Sequence, residues 1–125
     1  RLHVVACDAM ALCSLTEAFS LSAIESMALG RPVVHSDVGG APEMIFPGRN
    51  GFLFPPGDTR AFVDKLAVLA DREVSARMGR EARAMVEAHF SERTMVDRYE
   101  RLLLAICGEG TTVHPEHADG VNATH

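Results

Sequence analysis

An α/β fold built on a small parallel sheet is predicted by three observations. Short apolar runs alternate with longer stretches of helical periodicity, a tight strand-helix-strand unit fits within residues 9–36, and the runs are punctuated by Gly, Pro, Ser and Asp. The 125 residues are 47% apolar and 23% charged, the balance of one globular domain with enough chain for a core. No repeat or biased tract is present, which excludes a solenoid and a disordered chain.

The elements follow in order. Residues 1–8 run into an apolar stretch without a capping signal, so the chain is expected to start inside an element and to be a piece of something longer. Residues 9–13 and 32–36 are short apolar runs bounded by turn residues, the pattern of strands buried on both faces. Between them residues 21–29 read as a helix, with Ser20 as its N-cap and Gly30 then Pro32 as its stop. Two strands joined through a helix must pair in parallel. Residues 37–42 read as a loop in which Gly39 and Gly40 allow positive φ and close backbone approach. A third strand is expected at 51–54, after the turn signal at 47–50, and Pro55, Pro56 and Gly57 end it.

From Asp58 onward the periodicity is helical. Phe62, Leu66 and Leu69 form one stripe behind an Asp58 cap, and Ala82, Met85, Val86, His89 and Phe90 form a second that reads as packing. Met95, Tyr99, Leu102, Leu103 and Ile106 form a third, behind a Ser91 cap. Gly108 stops that helix, giving a domain over 1–107 and a disordered tail over 108–125. Three short strands against about five helices leave one sheet edge and part of one face open, unless upstream strands or a partner cover them.

Composition also bounds function. A net charge of −5, one Tyr and no Trp remove both the phosphate attraction and the stacking surface that nucleic-acid binders use. No apolar run approaches the roughly 20 residues that span a bilayer and no leader pattern opens the chain, so a cytoplasmic location is expected. Cys7, Cys13 and Cys107 are odd in number and lack paired spacing, which favours buried or idle thiols over a disulfide frame or a zinc site. His114 and His117 read as solvated tail residues, and no metal is expected.

The chemistry concentrates between Ser14 and Gly30. This stretch leaves the carboxyl end of the first strand and enters the following helix, the place where open parallel sheets bind ligands. The N–H groups of Ser20, Leu21 and Ser22 are unpaired at a helix start and carry the positive end of its dipole, so they suit an anion such as a diphosphate. Glu17 precedes the helix and Glu25 lies about 7 Å along it at 1.5 Å per residue. The two carboxylates flank the anion site, each able to accept paired hydrogen bonds from vicinal hydroxyls of a ribose or a hexose.

Three ordered segments carry a resemblance. Ser-Leu-Thr-Glu17-Ala-Phe-Ser-Leu-Ser-Ala-Ile-Glu25-Ser-Met-Ala-Leu-Gly-Arg-Pro-Val-Val is followed by Ser36-Asp-Val-Gly-Gly-Ala-Pro-Glu43 and by Asn50-Gly-Phe-Leu-Phe-Pro-Pro-Gly-Asp58. Over about residues 6–107 the chain resembles the C-terminal half of retaining GT-B glycosyltransferases of glycosyltransferase family 4. The resemblance implies a partial Rossmann-like donor-binding domain and transfer of a sugar, with retention, from a UDP- or GDP-linked donor. It implies that Glu17, the expected catalytic position, holds a donor-sugar hydroxyl. Main-chain groups of Phe19, Ser20, Leu21 and Ser22 would contact sugar and diphosphate, Glu25 would hold the ribose hydroxyls, and Gly39 and Gly40 would lie near the donor.

No Asp-x-Asp occurs, which fits a transferase that neutralises its leaving diphosphate with side chains and a helix dipole and uses neither metal nor cofactor. The family takes a diphosphate-binding Arg and Lys, and an acceptor-binding N-terminal domain, from segments outside this chain. The acceptor would be a saccharide or lipid, in polysaccharide, lipopolysaccharide or glycolipid synthesis, with peripheral membrane association of the full-length protein. Arg31 and Arg49 are the nearest cations here, and Arg31 fits better as a partner of its helix's C-terminal dipole. Ser20, often Gly in this family, either hydrogen-bonds a phosphate or caps its helix.

Other readings stay open. Glu17 and Glu25 could serve a glycoside hydrolase as paired carboxylates, or the chain could be a non-catalytic, nucleotide-binding remnant. Ile24, Met27 and Ala28 suggest a largely buried helix, in which an unpaired Glu25 would be costly and so functional. Asp37 and Glu43 are expected to order their loop, and His35 to be a core histidine before a ligand contact.

Overall fold

A computed structural model of the chain describes residues 2–108. Its elements run α1 (Leu2–Val5), β1 (Met10–Leu12), α2 (Leu21–Ala28), β2 (Val33–Ser36), α3 (Ala41–Met44), β3 (Gly51–Phe54), α4 (Thr59–Leu69), α5 (Arg72–His89) and α6 (Glu92–Gly108). The sheet has the order β1-β2-β3 and both pairings are parallel, with Met10 opposite Val33 and Val33 opposite Gly51. The crossover α2 makes the strand-helix-strand unit read from the sequence. Every residue of β2 is buried, as expected of a central parallel strand.

Alternation along the strands divides the core between two sheet faces. Val33, with Met10, Leu12 and Leu53 beside it, packs under Ala23 and Met27 of α2, Met44 of α3, and Ala82 and Val86 of α5. On the opposite face Val34 and Phe54 meet Phe62, Leu66 and Leu69 of α4 and Met78 of α5. The helix α5 thus serves both clusters, its first turns one and its last turns the other. Where it crosses the end of α2, Gly79 lies so close to Gly30 that a Cβ on Gly79 would stand 2.0 Å from the Gly30 carbonyl oxygen. The positive φ of 72° at Gly30 ends α2 and turns the chain into β2.

Caps stand where the sequence places them. Ser20 Oγ accepts from Ala23 N, Asp58 Oδ1 from Ala61 N, and Ser91 Oγ from Thr94 N. A further cap not read from the sequence is Asp71, which accepts from Glu73 N and Val74 N at the start of α5. Asn50 is buried and staples the α3–β3 turn, accepting from Phe46 N at 2.7 Å and donating to the Met44 carbonyl at 3.0 Å.

Three local expectations are corrected. Residues 2–5 are helical, and the first strand covers 10–12 where 9–13 is expected. The loop after β2 ends at Gly40, because Ala41 and Pro42 open α3 and a proline in a first turn gives up no intrahelical hydrogen bond. The third stripe does not pack: Met95, Tyr99, Leu102, Leu103 and Ile106 are each more than half exposed, since α6 makes its main contact with α5 and has no sheet face to lie on. The three thiols are exposed and free, the idle state of the two that their spacing suggests. The open sheet edge is observed: β1 and β3 are both edge strands, and Ala11 on β1 is exposed. Residues 109–125, including His114 and His117, lie outside the described residues. Among the described residues no helix is long and apolar enough to cross a membrane.

Candidate functional site

The stretch from Ser14 to Ser22 lies at the carboxyl ends of β1 and β2 and is held there at several points. Ser36, the last residue of β2, donates from Oγ to the Ser14 carbonyl at 2.6 Å. The Gly40 amide donates to the Ala18 carbonyl at 2.8 Å. Gly39, with φ 54°, sits against Glu17 so tightly that a Cβ there would lie 1.6 Å from the Glu17 carbonyl oxygen. The paired glycines therefore exist, in this chain, to let two loops touch backbone to backbone.

The ring of Phe19 covers Gly40 on one side, where an added Cβ would stand 2.7 Å from Phe19 Cδ2. It also meets the ring of Phe90, with centroids 5.6 Å apart and planes at 49°. Phe90 is the C-cap of α5, far away in sequence, and neither its spacing nor its place on an apolar stripe marks it as a neighbour of this loop.

Ser20 is buried, and its hydroxyl caps α2 by accepting from Ala23 N at 3.3 Å while its carbonyl accepts from Ile24 N. Of the two readings of Ser20, the cap is the one its hydrogen bond realises. The amides of Leu21 and Ser22 remain as the first-turn donors without an intrahelical partner, and both residues are exposed. Their N–H groups and the dipole of α2 provide a place for an anion.

Glu17 is half-buried and Glu25 is exposed. The expectation that α2 buries Glu25 is thus corrected. Ala23, Ser26 and Met27 form the buried face, and residue 25 falls two positions from Ala23, about 200° around the helix axis at 100° per residue. Among the described residues neither carboxylate takes part in a hydrogen bond or ion pair. Both remain available to hydroxyl groups from outside the chain.

The candidate cations lie elsewhere. Arg31 and Arg49 each precede a strand by two residues, at the end of the sheet opposite the site. Arg31 donates to the Val5 carbonyl at 2.5 Å, and Arg49 makes an exposed ion pair with Glu81 at 3.4 Å. His35 is a core residue: fully buried, it donates from Nδ1 to the Ser36 carbonyl at 2.7 Å. His89 does not pack as its stripe suggests. It is exposed and lines a 520 Å³ hollow among α3, α5 and α6, together with Phe46, Met85, Phe90 and Arg98. Asp37 is exposed after β2, and Glu43 lies in the first turn of α3.

A parallel sheet with this loop at its carboxyl end matches known proteins. The family profile described as glycosyl transferases group 1 matches residues 2–85, most of the chain. The chain belongs to the group 1 glycosyl transferases. Within the family, the N-acetyl-alpha-D-glucosaminyl L-malate synthase of Bacillus anthracis is 38% identical over 96 residues, 76% of this chain and 25% of that protein. The sucrose-phosphate synthase of Thermosynechococcus elongatus superposes with a TM-score of 0.79 at 30% identity, over 87% of this chain and 28% of that one. HepE of Anabaena, solved in complex with UDP-glucose, gives a TM-score of 0.74 at 30% identity, over 82% of this chain and 29% of its own. The fold is accordingly a partial C-terminal domain of GT-B type. This group 1 chain spans about a quarter of the length of the relatives it matches.

Proposed function

We propose that this chain supplies the donor-binding part of an enzyme that transfers a sugar from a nucleotide diphosphate sugar to an acceptor, with retention at the anomeric carbon. The observation that carries the reading is the start of α2 at the carboxyl end of a parallel sheet, where the Leu21 and Ser22 amides follow Glu17 and precede Glu25 in the chain. A related fold solved with UDP-glucose supports a nucleotide sugar as the donor. The diphosphate sits on those amides, Glu25 accepts hydrogen bonds from the ribose hydroxyls, and Glu17 holds a hydroxyl of the sugar as the catalytic position. Main-chain groups of Phe19 and Ser20 complete the cradle beside Gly39 and Gly40. UDP- and GDP-linked donors both suit this chemistry, and no metal is required by it. Family membership favours transfer over hydrolysis by the two glutamates.

Such an enzyme takes its acceptor, a saccharide or a lipid, and its diphosphate-binding cations from parts of the protein beyond these residues. The reaction itself is cytoplasmic in this reading. The exposure of Glu25 makes the test a clean one. Glu25→Ala should weaken binding of UDP-glucose or GDP-mannose about tenfold, the loss of a hydrogen bond to a charged group. It should leave the unfolding free energy within about 0.5 kcal/mol of the parent, as for exposed positions generally. Calorimetric titration beside urea unfolding measures both. Unchanged affinity for whichever donor binds would remove Glu25 from the site.

A further inference from the structure

The loop proposed to hold the donor makes its aromatic contact with a residue from the far end of the domain. Phe19 lies between Gly40 and the ring of Phe90, the C-cap of α5. Phe90 is itself anchored. Its amide donates to the Val86 carbonyl at 2.9 Å, and its side chain packs against the cluster of Val33, Met44 and Val86. Ser91 follows at once and caps α6, fixing the corner from the other side. The contact thus joins a partly buried ring that packs on the core to a residue that is about one-third exposed and precedes the amides of α2 just after Glu17. We infer that Phe90 is a positioning residue for the donor site: it touches no donor atom but holds Phe19, and through Phe19 keeps the Glu17–Ser20 loop closed on Gly40. This role rests on the donor-site reading for its functional meaning, while the loop-holding part stands on the contacts alone.

Without the ring, Phe19 loses its partner on one side, and the hydrogen bond from Gly40 N to the Ala18 carbonyl is left as the main tie of the loop apex. Phe90→Leu keeps apolar volume in the core and removes the ring, and Phe90→Tyr keeps the ring. In the 125-residue chain, amide hydrogen exchange at Gly40, set against Val34 of the central strand, reads loop opening separately from global unfolding. Titration with UDP-glucose and GDP-mannose reads the site.

The inference expects Phe90→Leu to speed exchange at Gly40 at least tenfold relative to Val34 and to weaken the donor that binds about fivefold or more. Phe90→Tyr should restore both. A purely packing role predicts instead that the two amides accelerate together and that affinity is unchanged, and that outcome overturns the inference. Should Phe90→Leu fail to fold, Phe19→Leu cuts the same contact from the exposed side and is judged by the same two readouts. If the parent chain binds neither nucleotide sugar while Gly40 still opens selectively, the donor reading fails and the positioning of the loop by Phe90 stands. If a donor binds and neither readout moves, the reverse holds.

Discussion

Gly39→Ala should abolish measurable donor binding while leaving the sheet folded. Two costs fall on one methyl group. The φ of 54° places residue 39 in the left-handed region, where a Cβ costs about 1–2 kcal/mol. The larger effect is steric: the new Cβ would stand 1.6 Å from the Glu17 carbonyl oxygen and 2.7 Å from its carbon, and both are backbone atoms with no flexible end to swing aside. Relief requires the Glu17–Ser20 loop or the β2–α3 loop to retreat by more than an ångström, which moves the Glu17 carboxylate and the entry to α2 together. A displacement of about 1 Å at a binding constellation is enough for a loss on the order of a hundredfold. Calorimetry with UDP-glucose and GDP-mannose checks the affinity, and far-ultraviolet circular dichroism checks the fold. Parent-like affinity in a folded Gly39→Ala chain would show that the contact between the two loops does not set the site.

The second large effect concerns stability, and there the sign is the point. Gly79 sits in the interior of α5, where exchange of glycine for alanine ordinarily stabilises by about 1 kcal/mol. Here the Cβ would meet the Gly30 carbonyl oxygen at 2.0 Å and its carbon at 2.9 Å. Gly30 cannot yield easily, because its amide is tied to the Met27 carbonyl at 2.9 Å and its φ of 72° sets the turn into the central strand. Overpacking of a core commonly costs about 1–3 kcal/mol, and a backbone-to-backbone clash belongs at the upper end. Gly79→Ala should therefore lower the unfolding free energy by about 2 kcal/mol, against the propensity gain, in a urea titration. A stabilised variant would mean that the α2–α5 crossing is looser than described.

What the sequence made legible were the features that depend on local chemistry. Ser20 and Asp58 are caps because a short oxygen-bearing side chain before an apolar periodic run satisfies the free amides, whatever the tertiary surroundings. The strand at 33–36 shows itself through Val33 and Val34 after Pro32, while His35 and Ser36, buried as well, carry no apolar signal. The location of the candidate site was readable for the same reason, since the loop, the helix start and both glutamates fall within one short segment.

Features that depend on which surface meets which were not readable. Glu25 has apolar neighbours in sequence, yet it points outward because Ala23 and Met27 define the inner face. The apolar stripe of α6 has the same periodicity as that of α4, but only α4 has a sheet face to lie on. The Asp71 cap stands well before the strongest apolar stripe of α5, which begins at Ala82, so the periodicity does not point to it. Phe90 was recognisable as apolar and helical, whereas its meeting with Phe19 follows only from the path of α5 along the sheet.

The central claim is that the first amides of α2, which follow Glu17 and precede Glu25 in the chain, receive the diphosphate of a nucleotide sugar. Amide chemical shifts of the 125-residue chain, followed during titration with UDP-glucose and with GDP-mannose, test it most directly. One of the two donors should shift Leu21 and Ser22 most, with smaller changes at Glu17, Phe19 and Gly40. Saturable shifts centred on the hollow among α3, α5 and α6, with Leu21 and Ser22 unmoved, would contradict it, as would the absence of any saturable shift with either donor.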